Sequence, residues 1–192
     1  NIVSVVSALT KLGHQVIMDV NGSSLAQADV IIVPGVAAFG AGMERLEESG
    51  QAEQLIARHA SGQGIIGLCL GAQLLLNRSS ESPGTPGLAI VDGEVVSLDL
   101  ESCRIPNQGW MRVTNDGSTA GQPLDDYFYF SHGYRFEPGA TTTSYARARS
   151  AEESFVAVYS CEGVFGVQFH PEKSAEAGLS FLSSILDEVK SH

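Results

Sequence analysis

The chain has 192 residues, 43% of them hydrophobic and 17% charged, with 22 acidic against 11 basic side chains and a formal net charge of −11. That length suits one domain, residues 1–192, able to bury a full core without staples. Nucleic acid and anionic membrane surfaces require basic patches, so the acidic balance argues against both; with no apolar run long enough to span a bilayer and no basic-plus-apolar leader, the chain reads as cytoplasmic.

Val3, Val6, Ala8, Leu9 and Leu12 recur at helical spacing, which gives a helix over residues 2–11 stopped by Gly13. Residues 15–20 read as a strand closed by Asn21-Gly22. A second apolar strand, 28–33, delivers Pro34-Gly35-Val36 into a loop ahead of a helix over 41–48. Pro-Gly alone supports only a turn, but a loop at the carboxyl end of a parallel strand is where an α/β sheet builds its ligand site. A third helix covers 51–60, followed by Gly62 and Gly64.

Next comes Ile65-Ile66-Gly67-Leu68-Cys69-Leu70-Gly71-Ala72-Gln73-Leu74-Leu75-Leu76, a short apolar run that passes through a cysteine into an apolar run of helical length. Residues 77–87 are polar and carry serine, proline and glycine, a surface loop. Short alternating or β-branched runs at 93–98, 110–113, 127–130, 141–148 and 155–159 then suggest an added antiparallel sheet, with a hairpin turn at Asp116-Gly117. Gly163 to Phe169 forms an apolar strand ending in His170-Pro171-Glu172, and Ser174 caps a last helix over 175–189. The expected fold is α/β: a mainly parallel, doubly wound sheet flanked by helices, with a smaller antiparallel section from the middle of the chain.

The chemistry concentrates at Cys69. On a sharp strand-to-helix turn a side chain projects clear of its neighbours, and Gly67 and Gly71 let backbone approach closely. The sulfur then lies near a helix start that favours thiolate, and the Leu70 amide is free to bind an oxyanion. A lone cysteine is more often simply buried, and the flanking glycines bring the two readings level. Pro171 fixes the backbone between His170 and Glu172, so that the carboxylate can orient the imidazole while its other nitrogen faces a thiol; taken alone, the triplet could equally be a solvated strand end. The other cysteines, Cys103 and Cys161, make an odd total without paired spacing, which suits a reducing compartment, and Cys161 beside Glu162-Gly163 reads as structural. The five histidines form no metal pattern; neither metal nor cofactor is expected.

Together the two motifs resemble the class I (triad) glutamine amidotransferases. Val33-Pro34-Gly35-Val36-Ala37-Ala38-Phe39, Ile105-Pro106-Asn107-Gln108-Gly109-Trp110, Tyr129-Phe130-Ser131-His132-Gly133-Tyr134 and the stretch from Gly166 to Gly178 resemble one branch, the glutaminase subunit of imidazole glycerol phosphate synthase. The resemblance implies Cys69 as nucleophile, His170 as general base and then acid, and Glu172 as the group that orients it. It implies backbone oxyanion donors at Leu70 and around Gly35 and Val36. It also implies that L-glutamine is held by Gln73 and by the backbone of His132, Gly133 and Tyr134. The implied partner is a (β/α)₈ barrel cyclase that receives the ammonia, met through Tyr129, Lys173, Asn107, Gln108 and Trp110. As residues alone, Tyr129 and Trp110 could be core aromatics and Lys173 a solvated charge. The resemblance further implies a strand, absent from this sequence, ahead of the first helix on a loop whose asparagine looks like Asn1; a sheet lacking it would expose its neighbours. Ala37 stands where the family usually has glycine, Asn107-Gln108 where it has His-Met, and Gly133 where it has serine or threonine. Other readings are a triad amidotransferase with another acceptor, as in surface-sugar biosynthesis, a free-standing cysteine hydrolase, and a non-catalytic regulatory subunit on the same fold.

Overall fold

The computed structural model describes residues 2–98, 105–115, 124–140, 142, 144–149 and 154–191. Along the chain run α1 (Ile2–Lys11), β1 (Ile31–Gly35), α2 (Phe39–Glu48), α3 (Gln51–Ala60), β2 (Ile65–Cys69), α4 (Leu70–Leu74), β3 (Arg78–Ser79) and β4 (Gly93–Ser97). They are followed by β5 (Asn107–Asn115), β6 (Asp125–His132), β7 (Tyr134–Pro138), β8 (Ser144–Arg149), β9 (Ser154–Cys161), β10 (Val164–Val167) and α5 (Ala175–Lys190). The turn expected at Asp116-Gly117 lies outside the described residues, as do Asn1 and Cys103.

The strands form one mixed sheet in the order β1-β2-β10-β9-β7-β4-β3, with β8 on β9, β5 on β8 and β6 on β5. β1, β2 and β10 pair in parallel, as do β3 and β4; every other pairing is antiparallel. The α/β architecture matches the sequence reading, but the antiparallel section is the larger part. The cause is connection length: among the described residues no crossover helix lies between β4 and β10, and short connections favour antiparallel neighbours.

Period-two alternation puts helices on both faces. Ile66 and Leu68 of β2 and Phe165 and Val167 of β10 share a buried cluster with Val5 and Leu9 of α1 and Leu182 and Leu186 of α5. Ile65 and Val164 share the other cluster with Phe39, Met43, Leu55 and Leu74 from α2, α3 and α4. Each such aliphatic or aromatic side chain contributes roughly 1.5–3 kcal/mol on full burial. β2 and β10 are buried at every residue, and β2 carries Cys69 at its end.

Several elements depart from the sequence reading. Residues 15–20 are not a strand, and Ile17, Met18 and Val20 are exposed. A strand exists only through its ladder, and β1, which pairs β2 on one side, has no strand on its other side among the described residues. Between β1, α1 and residues 15–20 runs a groove of about 880 Å³. The strand expected at 28–33 lies at β1, displaced toward Gly35, and α2 starts at Phe39, where the Glu81 carboxylate accepts its N–H at 2.7 Å. The loop at 77–87 contains β3 and is tied back, the Gly87 and Leu88 amides each donating at 2.9 Å to the carbonyls of Asn77 and Leu74. β7 was not anticipated, since Gly133 and Pro138 bracket it like turn residues.

Two glycines are set by close approach. A Cβ on Gly71 would lie 1.7 Å from the Val33 carbonyl oxygen, and one on Gly67 would lie 2.5 Å from the Ala72 Cα. Both obstacles are backbone, which cannot swing aside as a side chain can. Gly71→Ala is therefore expected to cost about 3 kcal/mol or more, read as a fall in the urea midpoint at unchanged slope.

Candidate active site

The turn from β2 into α4 takes place within one residue. Cys69 has φ 52° and ψ −112°, a conformation that costs a residue with a Cβ of order 1–3 kcal/mol, and only close packing around it holds it there. Gly67 and Gly71 supply that packing by letting α4 press against β2 and β1. α4 has five residues, shorter than the apolar run suggested, so its dipole offers little more than one turn of aligned amides at the sulfur. The register of the parallel pair sets Gly35 opposite Cys69. A Cβ on Gly35 would come within 2.9 Å of the Leu70 Cβ, so the 35–37 backbone and the start of α4 are near neighbours; Val36 is exposed.

His170 arrives from β10. Its backbone N–H donates to the Tyr129 carbonyl at 2.8 Å, and the preceding Phe169 ring is wholly buried, stacked on Phe128 at 4.2 Å and packed against Phe130 and Phe181. The His170 Nδ1 lies 2.8 Å from a Glu172 carboxylate oxygen, with both side chains at most 5% exposed. Burial alone would push the ring's pKa down. Hydrogen bonding and charge from Cys69 on one side and Glu172 on the other overcome this and raise it from 6.5 to about 9. The imidazole therefore stands between a sulfur and a carboxylate that both favour its protonated form.

Ser174 does not cap α5 with its side chain as the sequence suggested. Fully buried, its hydroxyl donates to the His170 carbonyl at 2.7 Å and accepts the Tyr129 N–H at 2.9 Å. With the His170 to Tyr129 bond this closes a ring of three hydrogen bonds that locks the histidine turn onto β6.

The residues expected around the substrate converge. The Gln73 amide nitrogen donates to the Tyr134 carbonyl at 3.4 Å and to the Gln168 amide oxygen at 3.2 Å. His132 is buried and its pKa is lowered to about 4, first by burial and then by the charge of His170, against the opposing effect of its hydrogen bond to the Tyr134 carbonyl. A carbonyl can only accept, so the His132 Nδ1, 2.7 Å from the Tyr134 oxygen, carries the proton, and its Nε2 accepts from Asn107 at 2.9 Å. Gly133 sits at the corner between β6 and β7, its carbonyl accepting from Leu98 at 3.1 Å.

A second cluster gathers on Tyr129. Its hydroxyl accepts from Gln108 at 3.0 Å, Trp110 meets its ring edge-on at 6.2 Å, and the Lys173 ammonium lies 5.7 Å from the ring centre. Trp110 is 53% exposed and no core aromatic, and Gln108 and Lys173 are exposed too. Asn107 differs, because its side chain turns inward to His132. Sequence reasoning missed Ser174 in this role, and it missed Gln168, whose one signal was a lone amide in a strand otherwise apolar on both sides. Among the described residues no group of three or more His, Cys, Asp or Glu is placed to hold a metal, and no helix is long and apolar enough to cross a membrane.

The family glutamine amidotransferase class-I matches residues 2–187. The chain is 35% identical, over 99% of its length and 94% of the relative's, to imidazole glycerol phosphate synthase subunit HisH of Methanothermobacter thermautotrophicus. It is 32% identical over its full length to imidazole glycerol phosphate synthase hisHF of Emericella nidulans, of which it covers 37%. In fold it resembles a crystal structure of a glutamine amidotransferase, with a TM-score of 0.80 at 19% identity, covering 100% of this chain and 95% of that one.

Two outcomes are expected from the geometry. A raised folded pKa means that the stability conferred by the protonated ring is present in full below about pH 6.5 and is lost as pH rises through about 9. Glu172→Gln should therefore destabilise more at pH 6 than at pH 10 in thermal melts, and NMR titration of the His170 ring should move below 9. Cys69→Gly, which relieves the positive φ, should be about 1 kcal/mol more stable to urea than Cys69→Ala.

Proposed function

Because the chain belongs to the glutamine amidotransferase class-I family, we propose that it is the glutaminase subunit of an imidazole glycerol phosphate synthase of histidine biosynthesis. It hydrolyses the side-chain amide of L-glutamine and hands the ammonia to a (β/α)₈ cyclase subunit in the cytoplasm. The observation that carries the reading is the buried His170 ring, hydrogen-bonded to the Glu172 carboxylate and set beside the Cys69 sulfur, in a chain 35% identical along nearly its whole length to a HisH subunit.

The Cys69 sulfur attacks the amide carbon of glutamine, and the carbonyl oxygen becomes an oxyanion. The Leu70 amide, next in chain, and the backbone of Gly35 and Val36, set beside it by the β1–β2 register, receive that charge. One such donor is worth roughly 10²–10³ in rate. The imidazolium of His170 gives its proton to the departing nitrogen, ammonia leaves, and a thioester remains on Cys69. His170, now neutral, takes a proton from water, whose hydroxide attacks the thioester carbon; the thiolate departs and the imidazolium is restored. Glutamine and water have become glutamate and ammonia. Glu172 keeps Nδ1 protonated and the ring aimed at the sulfur.

Gln73 and the backbone of His132, Gly133 and Tyr134 hold the glutamine, an arrangement supported by the bond from Gln73 to the Tyr134 carbonyl. The neutral His132 stiffens that corner without adding charge beside His170. The cyclase docks on the cluster of Tyr129, Gln108, Trp110 and Lys173, while the neighbouring Asn107 turns inward to His132. A buried core rich in aromatic residues with a polar rim is what such interfaces favour. The long fungal relative, of which this chain matches 37%, supports a partnership close enough to be fused in one chain.

Glutamate release should be low for the chain alone and rise strongly with the cyclase plus its nucleotide substrate. Cys69→Ala should abolish that stimulated activity. Stimulated release persisting in Cys69→Ala would remove the nucleophile from this account, and full turnover without partner would indicate an independent amidase.

A further inference from the structure

β10 and the two residues that carry it to His170 read Val164-Phe165-Gly166-Val167-Gln168-Phe169, apolar at every position but one. Gln168 is 0% exposed. A buried primary amide is destabilising when its hydrogen bonds go unmade, so its presence among apolar neighbours points to partners that need it. Both partners belong to the elbow. The Gln168 amide oxygen accepts from the Gln73 side chain at 3.2 Å, and its nitrogen reaches the Cys69 sulfur at 3.8 Å, within range of an N–H donor to sulfur.

The donor and acceptor senses are fixed. Gln73 offers its N–H₂ to two oxygens, those of Gln168 and of the Tyr134 backbone. Gln168, receiving on oxygen, can only donate from nitrogen, and the group it faces is the sulfur. In series these bonds polarise in one direction, each strengthening the next. We propose that Gln168 is a positioning residue for the glutaminase reaction: it fixes the rotamer of the glutamine-holding Gln73 and donates a hydrogen bond to the Cys69 sulfur. The pattern serves both functions because one amide has one acceptor and one donor end, and the elbow presents a donor and an acceptor four residues apart on α4 and its N-terminal neighbour. With its Nε2 committed to Gln168 and Tyr134, Gln73 keeps its own oxygen for a substrate donor. Toward the nucleophile, the Gln168 N–H stabilises negative sulfur, and it is available again when the thiolate departs from the thioester.

This inference rests on Cys69 being the nucleophile, but its test reads the thiol directly. Gln168→Met, similar in length and unable to make either bond, is expected to slow iodoacetamide alkylation of Cys69 about tenfold at pH 7, followed at that residue by peptide mass spectrometry. In the cyclase complex the same variant should lower kcat about tenfold and raise KM for glutamine about fivefold, since the sulfur loses a donor and Gln73 its anchor. Gln73→Met breaks the shared bond from its other end; it should slow alkylation in the same direction, and it decides the matter if Gln168→Met fails to fold. Wild-type alkylation rates in the folded variants, with only the melting temperature lowered, would make Gln168 a mere tie between strand and helix and overturn the proposal. Activity retained in Cys69→Ala would instead overturn the nucleophile assignment, leaving the measured effect of the amide on the thiol intact.

Discussion

The structure depends on the backbone contact between α4 and the two strands beneath it. Gly71 sits against the Val33 carbonyl and Gly67 against Ala72, so close that a single added carbon has no room. That contact forces the chain to reverse within one residue and leaves Cys69 in a left-handed conformation that its own side chain disfavours. The strain is small beside the burial of β2, and burial therefore decides the outcome. The placing of a buried Cys69 at the end of β2, the nearness of the Leu70 amide and the opposition of Gly35 all follow from the same reversal.

The histidine is held by a different kind of constraint. An aromatic cluster around Phe169 fixes where the strand ends, each well-arranged ring pair adding roughly 0.5–1.5 kcal/mol beyond its area, and the three-bond ring through Ser174 fixes how the chain turns. Pro171 then spaces Glu172 so that a buried carboxylate meets Nδ1. Burying an imidazolium is costly unless it is paired, and hydrogen bonding and charge from Cys69 and from Glu172 together raise the ring's pKa above its usual range. The same β6 residue that anchors His170 through its backbone, Tyr129, carries the exposed cluster of Gln108, Trp110 and Lys173 on its side chain. The exposed cluster and the histidine turn are thus joined through one residue.

What was legible in the sequence was local. Periodicity identified α1 and α3 to the residue, and the glycines around Cys69 gave the elbow. The His-Pro-Glu spacing gave the ion pair, because two residues across a proline leave few geometries open. Ser174 was misread for a physical reason: a serine before a helix has two uses for its hydroxyl, and only the arrival of β6 at that point makes bonding to Tyr129 and His170 the better one. Residues 15–20 have strand composition, but composition does not supply a neighbour to bond with. Gln168 stands out in the sequence only as a lone amide, and its role was not legible because its partners lie almost a hundred positions away along the chain.

By itself, then, the sequence determined the chemical groups and their immediate spacing: a thiol on a glycine-flanked turn, an imidazole two residues from a carboxylate, and strands and helices enough for an α/β sheet. The tertiary structure decided how those groups face one another. Strand order brings β10 beside β2, register sets Gly35 against Cys69, and the antiparallel section carries Tyr129 and Tyr134 back to the elbow. The division has a physical cause. Turn geometry and periodicity arise from forces within a few residues, whereas the sign of a buried pKa shift, the partner of a buried amide and the edge of a sheet depend on what packs across the core.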